Sequence, residues 1–261
     1  MIINVKNFTN QIGTIKNELK NYEFKIYEAS SIISNMHFYW SDGYTNSFFK
    51  RINKFTQDIN DLTDYLHHIV SCLDVISIRY NSINNRIDDL FGNADAIIDS
   101  NNYIVYEDDK PEIAERKYIV SDIIDDSEDQ IASTLFKSNN VYVSTVNYDS
   151  LDVEKTGEQN TLIGMMDNMP NEIKKLEEKN RDVYNTSNYL KESLISITTL
   201  YNSKNAKKLK ALIDIASENM QFINNNLRIT HEYIISRREQ YQNLFSKMAA
   251  DARNIDKDWW Y

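Results

Sequence analysis

The side chains able to do chemistry in this 261-residue chain are few and scattered. His67 and His68 are neighbours, and on a helix they point about 100° apart, too far to chelate one metal together. His37 and His231 have no carboxylate or cysteine at ligand spacing. The acidic runs Glu107-Asp108-Asp109 and Asp122 to Asp129 lack the ordered ligands and central glycine of a calcium loop, and read as solvated acidic linker. Cys72 is the only cysteine, which rules out an internal disulfide. It sits beside the apolar position Leu73 and reads as a small buried side chain. There is no nucleophile elbow, phosphate-binding glycine loop or triad-like set, and Gly164 is an isolated glycine. The sequence therefore predicts a protein that is not an enzyme and uses no metal or cofactor. The chemistry that remains is aromatic burial against a partner. Its candidates are Trp40, with Gly43 and Phe48 just after it, Tyr201, and the terminal Trp259, Trp260 and Tyr261. Trp40 can equally close off the end of the helical core, and the terminal aromatics can equally pack back on it.

Long helices must position these residues. An apolar seam runs through Ile12, Ile15, Leu19, Tyr22, Ile26, Ala29, Ile33, Met36 and Trp40, alternating steps of three and four. The same register returns 161 positions later at Ile173, Leu176, Asn180, Val183, Ser187, Leu190, Leu194, Ile197 and Tyr201. The first helix is predicted over about residues 5–39. The second runs from Phe48 to Leu90, roughly 65 Å at the rise of an α-helix. Between them, Ser41 or Asp42 can cap the next helix and Gly43 permits a tight turn. So short a connection forces an antiparallel hairpin.

A third helix is predicted over about 165–200, with Pro170 in its first turn. The fourth follows Asn205, with a seam through Leu209, Ile213, Ala216, Met220, Ile223, Leu227, Thr230, Ile234, Arg237, Tyr241, Leu244 and Met248. Arg237 reads there as a snorkelling or partner-paired side chain. The expected fold is all-α, with two long antiparallel hairpins packed as a four-helix bundle. The expected domains are 1–91, an insert at 92–160, and 161–261 with the aromatic tail.

The net charge of −10 is unevenly placed. Residues 92–160 hold 16 acidic and 5 basic side chains, a net −11, which leaves the rest near neutral. No basic patch supports nucleic-acid binding. Three β-prone runs lie in this insert, at 103–106, 117–120 and 141–146, so a small β-element is expected there. No run of about 18 apolar residues could span a membrane, and the first residues do not resemble a cleavable signal peptide.

Trp40, Gly43 and Phe48, set between two heptad helices, resemble the WXG (ESAT-like) family of type VII secretion substrates. The likeness covers residues 5–90, and reaches 165–255 through the internal repeat. The first turn, Trp-Ser-Asp-Gly, is one residue longer than the family's Trp-x-Gly, and the second has Tyr201 and no glycine. Tyr-x-x-x-Asp/Glu matches, a pattern of family secretion signals, occur at Tyr103, Tyr118 and Tyr148.

The resemblance implies a secreted substrate or helper that leaves by the type VII route. Its partners would be a secretion ATPase or a co-secreted helical protein, in a homo- or hetero-oligomer, with the aromatic tail docking on the ATPase. The alternative is a cytoplasmic structural or adaptor coiled-coil protein that binds through its acidic insert. A third reading is an acidic competitor for basic sites.

Overall fold

In the computed structural model the described residues are 5–91, 124–132, 141–149, 151, 164–201 and 203–258. Helix α1 spans Val5–Asn35 and tightens into a 3₁₀ turn at Met36–Phe38, closed by the Tyr39 N–H on the Met36 carbonyl at 3.0 Å. Helix α2 spans Thr45–Phe91 without a glycine or proline to interrupt it. Helix α3 covers 124–132. A π-turn at Gly164–Asn168 leads into α4, Met169–Leu200, and α5 spans Ala206–Asp258. The described residues are thus helical with short connections, and they contain no strand.

Every seam residue of α1, from Ile12 to Met36, is buried, and so are Trp40 and the α2 seam from Phe48 to Ile83. The side chains of Ile87 and Leu90 lie outside the described residues. On α5 the seam is buried as far as Ile234, then opens: Leu244 is 49 % and Met248 54 % exposed. The expected apolar register continues there without a covering surface, because heptad spacing specifies a stripe but not what packs on it.

The chain divides into two compact units, each containing a segment of α1, α2, α4 and α5. The first comprises 1–20, 63–141 and 188–218, and the second 21–62, 142–187 and 219–261. In the first unit, polar pairs flank the apolar seam. Thr9 meets Ser77 at 2.9 Å, Gln11 donates to the Ser193 carbonyl at 3.2 Å, and Lys16 pairs with Asp74 at 2.8 Å.

In the second unit the polar seam positions of α4 find partners on α5. Asn180 donates to the Leu227 carbonyl at 3.2 Å, and Ser187 accepts from Asn224 at 2.8 Å. These bonds let the polar positions interrupt the apolar stripe, although the amide oxygens of Asn180 and Asn224 stay buried without a hydrogen-bond partner. Lys179 ties α4 to Glu28 of α1 at 2.8 Å, and Tyr27 ties α1 to Asn60 of α2 at 2.9 Å.

The β-element expected in the insert takes a different form. Runs 103–106 and 117–120 lie outside the described residues. Residues 141–146 are extended but pair with no strand. Side chains from the helices satisfy their backbone instead, as described below. Tyr103 and Tyr118 also lie outside the described residues, as does Asp152, which completes the match begun at Tyr148.

Candidate functional site

Two clusters of buried polar and aromatic groups stand out, one in each unit. In the second unit the turn after α1 is organised by Asp42. Its Oδ1 accepts the Tyr44 N–H at 2.8 Å and the Thr45 hydroxyl at 3.3 Å, while its own N–H donates to Thr45 Oγ1 at 2.7 Å. This is the local turn that aspartate side chains favour. The other oxygen, Oδ2, accepts from α5: Tyr241 Oη at 2.6 Å and Arg237 Nη2 at 2.5 Å.

The Arg237 guanidinium lies over the Tyr44 ring, 4.3 Å from its centroid, a cation–π arrangement. Burial raises the Asp42 carboxyl. Tyr241, Trp40, Arg237 and the Tyr44 amide outweigh that effect and hold it below the usual aspartate value. The Trp40 indole N–H is buried without a hydrogen-bond partner of good geometry.

Trp40 is fully buried against Phe48, with centroids 4.7 Å apart. Tyr233 of α5 stacks on Phe48 at 5.6 Å and on Tyr148 at 4.6 Å. Burial lifts the Tyr233 hydroxyl to about 12. Gly43 is buried in the same turn. Gly164 meets the Tyr39 carbonyl so closely that a Cβ there would collide with backbone. An isolated glycine in the sequence is thus a close-approach point, which nothing around it signals.

In the first unit the corresponding turn is organised by a carboxylate from elsewhere in the chain. Glu128, on α3, is buried, and its oxygens accept from Tyr80 Oη at 2.6 Å, Tyr201 Oη at 3.1 Å and Asn205 Nδ2 at 2.7 Å. Asn205 Nδ2 also donates to the Glu128 carbonyl at 2.9 Å, and Lys204 pairs with Asp129 at 2.8 Å. Burial, then the neighbouring carboxylate, hold the Tyr80 hydroxyl far above the usual phenol range.

Tyr80 and Tyr241 are repeat equivalents, and each donates to a turn carboxylate. The residue 161 after Asp42 is Ser203. It keeps only the local half of the role, accepting the Asn205 N–H at 3.0 Å. Glu128 supplies the other half. The acidic run Asp122 to Asp129 gave no signal that one member is buried.

Of the sequence candidates, Trp40, Gly43 and Phe48 come together in the second unit, while Tyr201 belongs to the Glu128 cluster of the first. Trp259, Trp260 and Tyr261 lie outside the described residues. Cys72 is buried, 3.5 Å from His68 Nε2, and burial pushes its thiol up to about 11. Among the described residues no three His, Cys, Asp or Glu side chains group as metal ligands, and no helix is long and apolar enough to cross a membrane.

Both clusters can hold chain segments together by donating to carboxylates. Neither presents a nucleophile–base pair. No family model, curated protein or solved structure matches the chain.

Proposed function

We propose that this chain is a non-enzymatic protein of the WXG-like, helical-hairpin kind, which acts by association as a type VII secretion substrate or as a helper that delivers one. Its four long helices would pair as two hairpins in a four-helix bundle. The observation that carries this reading is the turn after α1. There Trp40 is locked between Phe48 and Tyr233, and the turn carboxylate is clamped by Arg237 and Tyr241. With Trp40 and Phe48 both buried, these aromatics would fix the shape of the turn that meets a partner rather than form its exposed surface.

Fractionation of wild-type and secretion-deficient cells, blotting for this protein, tests the reading. The expected result is protein in the medium of the wild type alone. Equal retention in both strains would overturn it and favour the adaptor reading. A specific observation supports that second reading: two parts of the acidic insert, Glu128 and residues 142–148, are seated on the long helices.

A further inference from the structure

Residues 142–148 cross the second unit as an extended strap whose backbone is read by side chains. Asn226 of α5, fully buried, commits both ends of its amide to it: Oδ1 accepts the Val146 N–H at 3.0 Å and Nδ2 donates to the Ser144 carbonyl at 2.8 Å. Asn219, two helical turns earlier, accepts the Val143 N–H at 2.7 Å. Asp58 of α2 takes the Ser144 hydroxyl at 3.2 Å. Val143 and Tyr148 are the buried anchors, and the Tyr148 hydroxyl meets Thr230 at 2.8 Å. Tyr142, by contrast, is 79 % exposed.

This geometry does the work of a neighbouring strand without one. Amides spaced seven residues apart on a helix lie on the same face two turns apart, so they meet an extended chain at intervals. Backbone bonds of this kind are indifferent to the occupant's side chains. Selectivity falls to the Val143 and Tyr148 pockets and to Asp58, the division of labour found when extended peptides are recognised. Helix α5 satisfies its own backbone internally, so the buried amide of Asn226 is left for the extended segment that it bonds.

We infer that this groove is a peptide-reading site that the chain fills in cis, and that its other occupant is an extended segment of a partner protein. The segment would carry an apolar residue, a hydroxyl residue next to it, and a tyrosine five positions after the apolar one. The inference does not depend on the secretion route.

The probe is a fluorescent peptide of residues 142–149, titrated by anisotropy into the full chain and into the full chain carrying Val143→Asp and Tyr148→Ala. The tethered strap competes at millimolar effective concentration, so the peptide should bind the strap variant at least about tenfold more tightly than the wild type. Adding Asn226→Ala should abolish that binding. If the double substitution reduces helical circular dichroism, Val146→Pro opens the groove more gently, because it deletes the N–H that Asn226 accepts and leaves both anchors in place. Absence of saturable binding to a folded strap variant would overturn the inference, as would binding that survives Asn226→Ala.

Discussion

Both oxygens of Asp42 are committed, one to its own turn and one to Arg237 and Tyr241 on α5. Asp42→Asn keeps the shape and removes the charge, leaving a half-buried guanidinium short of its counterion. The expected loss is about 2 kcal/mol, below the full cost of breaking a buried pair because Arg237 is partly solvated. The pH dependence follows from the depressed Asp42 carboxyl. Its contribution is complete above the unfolded value, about 3.9, and is lost as the pH falls through the folded value. The melting temperatures of wild type and Asp42→Asn should differ steadily above pH ~5 and converge below pH ~4. A gap that persists unchanged into acid would refute the assignment. Gly164 and Gly13 give a paired test. Gly164→Ala drives a Cβ into the Tyr39 carbonyl and should cost about 1–3 kcal/mol. Gly13→Ala meets open space in mid-helix and should gain roughly 0.5–1 kcal/mol. Urea denaturation of both variants reads the contrast, and equal effects would sink it.

The long helices were legible because their information is periodic. Ile12 to Met36 repeats at heptad steps, few glycines interrupt, and burial follows the stripe. What escaped is aperiodic. Asn219 and Asn226 look like ordinary polar-face residues, yet both are buried and bond the strap. The run Val141 to Val146 was legible as extended, since β-branched and aromatic residues favour that backbone. Its partners were not, because side-chain amides leave no alternating pattern in the sequence. Glu128 was hidden among like-charged neighbours for the same reason. Its role predicts how α3 is attached. Glu128→Ala removes the acceptor for Tyr80, Tyr201 and Asn205 and leaves buried donors unmet, at an expected cost of about 2 kcal/mol. Glu128→Gln retains an acceptor oxygen and should cost less. Limited proteolysis should cut near 124–132 faster in Glu128→Ala than in Glu128→Gln, and matching cleavage rates would show that the carboxylate does not fasten this helix.

At the scale of the whole chain, the repeat offset of 161 relates several bonds of the two turns, although their side chains differ at Asp42/Ser203, Gly43/Lys204, Tyr44/Asn205 and Thr45/Ala206. Tyr241 matches Tyr80, and both donate their hydroxyls to a carboxylate. The Asp42 Oδ1 bond to the Tyr44 N–H matches the Ser203 Oγ bond to the Asn205 N–H. The Thr45 N–H on the Asp42 carbonyl matches the Ala206 N–H on the Ser203 carbonyl, each at 3.1 Å. Ser203 lacks the second carboxylate oxygen, and the equivalents of Thr45 and Arg237 are Ala206 and Ile76; Glu128 supplies the acceptor for Tyr80. If the repeat is a physical equivalence and not a numerical one, an acid at 203 should do what Asp42 does. Ser203→Asp alone crowds a second carboxylate against Glu128 and should destabilise the chain, since like charges in a buried site repel. Combined with Glu128→Ala, the same substitution gives Tyr80 an acceptor again and should restore roughly half or more of the stability lost by Glu128→Ala, a coupling that a double-mutant cycle measures directly. Denaturation midpoints of the two single variants and the double variant decide the matter. Additive losses would show that the turns share a register but not a mechanism. A double variant more stable than Glu128→Ala would show that the insert supplies from outside the hairpin what the first turn carries within itself.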